Sequence, residues 1–284
     1  MPNHAHTHAH AQPGHGNDDT ALAELVDLDA EVLSAHLDDV MGLLHAAADG
    51  PVRHIIDLGS GTGTGAFALL RRFAGAEVVA VDASATMLER VRAKAADLGL
   101  QEAVRTVRAD LDEAWPALGP ADLVWAAASL HHLADPDRVL ADVFATIRPG
   151  GLLAVAELDS FPRFLPGELG DGLEARCHAA LAEARARDLP HLGDDWGPRL
   201  RRAGFTVEQD RTFTIDLTPP LPAATGRYAH ACLRQARTGL EGRLSDADLA
   251  TLDALLEPDG PRGIARRDDL RVRTTRSLLL ARRP

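Results

Sequence analysis

The chain is predicted to fold as an α/β protein whose mostly parallel, seven-stranded sheet carries helices on both faces. Three observations predict it. Short apolar runs alternate with amphipathic helical stretches, glycines cluster between the first run and the helix that follows, and an aspartate closes the second run. Strands and helices alternating in this way pair in parallel through right-handed crossovers, which leaves helices on both sides of the sheet. A chain of 284 residues with a hydrophobic fraction of 45% can bury such a core.

The segment 1–19 carries His4, His6, His8, His10 and His15 among small and polar residues, so it is expected to be a disordered tail that binds metal only adventitiously. Over 20–50, Leu22, Leu25, Val26, Leu33, Leu37, Val40, Leu43 and Leu44 fall largely at helical spacing, predicting two helices broken near Asp27 to Asp29. The core, 51–158, opens with the strand Ile55, Ile56, Asp57, Leu58. Helices are expected at 66–73, 85–98 and 136–147, and strands at 77–81, 104–109, 121–127 and 152–158. The last helix of this set stops at Pro149, Gly150 and Gly151, as a chain that cannot continue a helix should. Beyond it, 159–284 reads as a substrate cap with closing strands. Helices fall at 173–187 and 195–203, a strand at 205–217, helical patterns at 224–235 and 246–256, and a final strand at 270–281. The roughly fifty residues between the two late strands far exceed a hairpin loop and predict a helical insertion.

The run Asp57, Leu58, Gly59, Ser60, Gly61, Thr62, Gly63 lies between a strand and a helix. Glycines there allow a tight turn and close approach of a ligand to the backbone, and the helix start offers free N–H groups. Asp82 ends the second strand nineteen positions after Gly63, where a carboxylate can accept from both hydroxyls of a ribose. Its competing role is a helix N-cap, which Ser84 can equally fill. These two features alone also suit a nicotinamide-dependent oxidoreductase, since Gly61, Gly63 and Ala66 match G-x-G-x-x-A.

Five motifs in order discriminate: DLGSGTG at 57–63, VVAVDAS at 78–84, RADL at 108–111, DLVWAAASLHHL at 122–133 and RPGGLLAVAEL at 148–158. Together they resemble the class I S-adenosylmethionine-dependent methyltransferases, and most closely the small-molecule branch called type 11. TTRSLLLARRP at 274–284 looks like that family's last strand. The resemblance implies a Rossmann-like fold and S-adenosylmethionine as cofactor. It implies that Gly59, Gly61 and Gly63, with Ser60 and Thr62 between them, line the methionine and ribose portion, and that Asp57 helps to place the cofactor's amino group. Asp82 would hold the ribose, Ala83 and Met87 would lie beside the adenine, Asp110 would accept from the adenine amino group, Leu111 would offer its N–H, and Ala127 would contact the methionine end.

A sulfonium is already an activated methyl donor, so a base is needed only for an acceptor that arrives protonated. His131 and His132, just past the fourth strand, are the candidate catalytic residues, with packing or cofactor-edge contact the preferred reading because relatives with different substrates share the pair. Glu157 and Asp159 are further candidates, against loop capping. Tyr228 and His230, with Arg227, Arg234 and Arg237, form either a basic face for an acidic acceptor or, as preferred, a salt-bridged surface. Trp115, Trp125 and Trp196 are expected in the core.

The net charge of −12 disfavours nucleic acid and anionic lipid, and no D/N-P-P-Y-type motif marks a nucleobase methyltransferase. Apolar runs fall far short of the ~20 residues that span a bilayer. The first seventeen residues lack the apolar core of a secretory signal, so the cytoplasm is the expected compartment. Cys177 and Cys232 form no metal-type pair, and no carboxylate pair suggests a metal, so no metal dependence is expected. The expectation is methyl transfer to the O, N or C atom of a small organic molecule; the alternatives are the nicotinamide enzyme and a non-catalytic cofactor-binding regulator. Oligomeric state is not legible.

Overall fold

The computed structural model describes residues 15–167, 172–258 and 260–284, with side chains from 19 onward. Its seven strands are β1 (His54–Leu58), β2 (Glu77–Asp82), β3 (Val104–Arg108), β4 (Ala121–Ala127), β5 (Ile147–Leu158), β6 (Thr206–Leu217) and β7 (Val272–Arg282). They lie in the order β3-β2-β1-β4-β5-β7-β6. The first five are parallel, and β7 runs antiparallel between β5 and β6. Strand order therefore reverses beside β1, and the crevice beyond the carboxyl ends of β1 and β4 is where such a sheet binds ligands.

Central strands are buried on both faces, which is why β1 and β4 read as nearly continuous apolar runs. One face packs on α2 (Ser34–Ala47) and α3 (Thr64–Arg72) through Val40, Leu44, Ala66, Leu69 and the alternate residues Leu278 and Leu280 of β7. The other packs on α5 (Pro136–Thr146) and α7 (Trp196–Arg202) through Val139, Leu140, Val143, Trp196, Leu200 and Leu279. The edge strand β6 is mostly exposed and carries Glu208, Asp210, Arg211 and Asp216, charges that discourage pairing with another chain. Trp125 and Trp196 are buried, and Trp115 packs partly buried against the second of these cores.

A separate apolar core forms above the carboxyl edge. It joins α1 (His15–Val32), α6 (Leu173–Asp188), α8 (Thr225–Thr238) and α9 (Asp246–Leu256) through Leu28, Val32, Cys177, Leu181, Tyr228, Leu252 and Leu255. The remaining helix, α4 (Ala85–Asp97), packs beside α3 through Val91, Ala95 and Phe67. The N-terminal helices therefore serve different layers, α1 the cap and α2 the sheet.

Three sequence expectations change here. The helix expected to run to 147 ends at Thr146, and β5 begins at Ile147 rather than at 152, taking in Pro149, Gly150 and Gly151. The first helix begins at His15, inside the stretch expected to be disordered; residues 1–14, with His4, His6, His8 and His10, lie outside the described residues. The break between the first two helices falls at Leu33 rather than at Asp27 to Asp29. Aspartates weaken a helix by competing for its backbone, but these two are engaged elsewhere. Asp27 accepts from Thr62, Arg90 and Lys94, and Asp29 accepts from Tyr228 and Arg276.

Candidate active site at the strand tips

The loop after β1 turns back beneath the tip of β2. Ser60 N–H donates to the Val81 carbonyl at 2.9 Å, and Gly61 N–H donates to Asp82 Oδ2 at 2.8 Å. Gly59 needs to be glycine twice over: its φ is +63°, and an added Cβ would stand 2.4 Å from the Cβ of Ser129. Gly65, in the first turn of α3, is glycine for space alone, since a Cβ there would meet Trp125 Nε1 at 2.4 Å. Nothing in the spacing of the motif singled this residue out.

Asp82 is half-buried, and its second oxygen accepts from Ser84 N–H at 2.8 Å. Ser84 is the N-cap of α4, taking Met87 N–H, so the capping role lies with the serine. Burial raises the Asp82 carboxyl pKa, and the N–H groups of Ser84 and Gly61 oppose that rise. Each oxygen retains acceptor capacity for a hydroxyl.

Asp57 is buried at the tip of β1, and burial pushes its carboxyl up to about 7. Its Oδ2 and the Oγ of Ser60 are buried with no hydrogen-bond partner. Buried polar atoms without partners are costly, and in a glycine cradle they mark where a polar ligand would be received. An ammonium and hydroxyls are the groups these two atoms suit, and S-adenosylmethionine carries both. The residues present therefore fit that cofactor.

The neighbouring tips complete the crevice. Ala109 N–H donates to the Asp82 carbonyl at 3.0 Å, which brings Asp110 and Leu111 alongside. Asp110 is exposed and accepts from Asp112 N–H, while the Leu111 carbonyl accepts from Arg138. Ala83 is exposed with its carbonyl accepting from Arg108, and Met87 is buried. Ala127 ends β4 half-buried. Ala128, next along, holds φ +49°, a left-handed conformation that costs an alanine about 1–2 kcal/mol.

Glu157, near the end of β5, holds that turn in place. Its Oε1 accepts from Leu130 N–H at 2.9 Å and Ser129 N–H at 3.3 Å, and its Oε2 lies 2.5 Å from His131 Nδ1. Ser129 Oγ donates to the Leu58 carbonyl at 2.9 Å, tying the turn to the glycine loop. His131 is buried, whereas His132 is exposed on its outer edge with the two rings 4.3 Å apart between centroids. Partial burial, and next the neighbouring His131, lower the His132 pKa.

Helix α1 covers the loop. Thr62, fully buried, donates to Asp27 at 2.5 Å, Ser84 Oγ donates to Asp19 at 2.6 Å, and Val26 lies over Gly61. Asp27 sits within a helical pattern that gave no sign of site contact, and Asp19 within the stretch expected to be disordered. The basic face of α8 is the salt-bridged surface expected: Arg227, Arg234 and Arg237 meet Glu31, Glu24 and Asp253. Among the described residues no helix is long and apolar enough to cross a membrane, and no group of histidines, cysteines and acids is arranged to hold a metal.

Comparison with known proteins agrees with this geometry. Residues 55–151 match the family model described as a methyltransferase domain. Trans-aconitate 2-methyltransferase of Acidovorax sp. (strain JS42) is 33% identical over 230 residues, covering 79% of this chain and 78% of that protein. Methyltransferase GfsG of Streptomyces halstedii is 30% identical over 169 residues, covering 60% of this chain and 58% of its own. With several curated relatives the match thus spans about half of their length, 55% and 50% in two other trans-aconitate 2-methyltransferases. The fold is that of a putative methyltransferase from Bacillus halodurans C-125, with TM-score 0.54 at 19% identity over 87% of this chain and 99% of that one. The nicotinamide-enzyme reading finds no support among these relatives. The chain belongs to the class I S-adenosylmethionine-dependent methyltransferases.

Proposed function

We propose that this protein transfers a methyl group from S-adenosylmethionine to a small organic acceptor. The observation that carries the proposal is the junction of the glycine loop with Asp82, beside the unpartnered buried oxygens of Asp57 and Ser60. In this reading Asp82 accepts the ribose hydroxyls, Asp57 faces the amino group, and Gly59, Ser60, Gly61, Thr62 and Gly63 line the path between them. Ala83 and Met87 flank the adenine, Asp110 and Leu111 meet its edge, and Ala127 meets the methionine end. Relatives named for trans-aconitate support a small-molecule acceptor.

When bound, the cofactor supplies a methyl group on a sulfonium already activated for displacement. The chain's own work is to orient and to exclude water. The Glu157 carboxylate fixes the turn 128–131, and helix α1 closes over the glycine loop through Asp19 and Asp27. His131, tied through Nδ1 to buried Glu157, orients this turn, and the exposed His132 is the candidate base for an acceptor that carries a proton. Its lowered pKa leaves the ring neutral near neutral pH, so that it can accept a proton. No metal is assigned a role. The free cysteines Cys177 and Cys232 suit a reducing compartment, and we place the protein in the cytoplasm.

The test is incubation of the chain with methyl-labelled donor and an extract of its host, followed by mass spectrometry of small molecules. A labelled product that requires Asp82 and survives EDTA is expected. Cofactor binding with no labelled product from any extract would favour the regulator instead.

A further inference from the structure

The loop after β5 and helix α6 bring together basic side chains that form no ion pair with an acid among the described residues. Helix α6 lies along this loop: Glu174, in its first turn, accepts the N–H groups of Phe164 and Leu165 at 2.7 and 2.9 Å. One turn on, His178 faces Phe161, with ring centroids 6.2 Å apart. Two turns further, Arg185 lays its guanidinium 3.7 Å from the centroid of the Phe161 ring and donates Nη1 to His178 Nδ1 at 3.3 Å. Arg163, on the loop, is exposed and adds a second cation acting on the same imidazole.

About half of the other arginines in this acidic chain form ion pairs among the described residues, as Arg176 does with Asp248 and Arg271 with Asp216. Among the described residues neither Arg163 nor Arg185 forms an ion pair. The acid beside them, Glu174, is committed to two backbone N–H groups, lies 3.8 Å from Arg273 and feels the more distant Arg163 without forming an ion pair with it. A guanidinium has five N–H donors, and Arg185 gives one to His178. Burial, then Arg185, then Arg163 depress the His178 pKa to about 4, so its ring is neutral, Nδ1 accepts, and Nε2 carries a hydrogen free to donate.

Stacking on Phe161 fixes the plane of the guanidinium, which is what bidentate recognition of a carboxylate requires. Phe161 lies three residues beyond Leu158, the end of β5, the strand whose Glu157 holds the turn with His131 and His132 beside it. The cluster therefore lies past the carboxyl end of β5, across β4 and β1 from Asp82 in the strand order.

We propose that Arg185, Arg163 and His178 form a carboxylate-binding subsite for the methyl acceptor, with Phe161 as its apolar wall. Assigning the carboxylate to the acceptor rests on the methyltransferase reading; the anion site itself does not.

The test is calorimetric titration of the full chain with citrate and, separately, inorganic phosphate at constant ionic strength, each with and without S-adenosylhomocysteine. Citrate should saturate the wild type, and Arg185→Gln and Arg163→Gln should each weaken it by roughly tenfold, leaving S-adenosylhomocysteine affinity unchanged. Should Arg185→Gln disturb the fold, the exposed Arg163→Gln still reports. In the wild type, citrate should also shift the His178 ring nitrogen resonances and raise the pKa read from them. Citrate failing to bind, binding both variants as well as wild type, or losing the site to phosphate would overturn the carboxylate subsite. Citrate bound at these residues in a chain that never binds S-adenosylhomocysteine would instead remove the methyltransferase reading and leave the subsite standing.

Discussion

Asp57 concentrates the electrostatics of the site in one side chain. Its carboxyl is fully buried, pushed up to about 7, and only partly relieved by the N–H of Ala66. In the unfolded chain the same group titrates near the ordinary 3.8. Between these values the folded state binds more protons than the unfolded one, so stability falls as pH rises from about 4 to about 7 and levels off above. A shift of this size corresponds to something on the order of 4 kcal/mol. Urea unfolding of the ligand-free chain should show that decline, and Asp57→Asn should flatten it; parallel profiles for the two proteins would show that Asp57 does not carry the cost. The aspartate was legible in the sequence as part of a motif. Its protonation was not, because that depends on burial among β1, α3 and Trp125, which meet only in the folded chain.

Helix α1 is the element whose role sequence pattern concealed. Its leucines announce an amphipathic helix, yet its aspartates do the work at the site: Asp27 takes the hydroxyl of buried Thr62 at 2.5 Å and Lys94 at 2.6 Å. Periodicity reports which face is apolar and says nothing about what a polar residue meets forty or sixty positions away. The same limit left Glu157 open between a base and a loop cap, and it caps the turn at Leu130. Strands β1 to β5 and the helices between them were legible to within a few residues, because apolar runs bounded by glycines and caps are local signals. Asp27→Ala leaves the hydroxyl of Thr62 without its acceptor and unties α1 from the loop. Dissociation of S-adenosylhomocysteine should accelerate by roughly five- to thirtyfold, matching about 1–2 kcal/mol. Helix α1 stays anchored through Asp29 to Tyr228 and Arg276, so the melting temperature should change little. An unchanged dissociation rate in stopped-flow displacement would contradict a lid role.

At the scale of the molecule, one sheet carries two functions at its carboxyl edge, separated by the strand order. The tips of β1, β2 and β3 face the glycine loop and Asp82, whereas β6 and β7 extend into the cap that α1, α6, α8 and α9 enclose. Its parallel half declared itself in motifs because a cofactor shared by many enzymes imposes them. The cap did not, since its core depends on contacts between distant segments such as Asp29 and Arg276. The account as a whole turns on what the crevice beside Asp82 holds. Isothermal titration of the full chain with S-adenosylhomocysteine and with NADH, in wild type and Asp82→Ala, tests this most directly. S-adenosylhomocysteine should bind one per chain and lose about 1.5–3 kcal/mol in the variant, with no heat from NADH. Binding of NADH that depends on Asp82, with none of S-adenosylhomocysteine, would contradict the account.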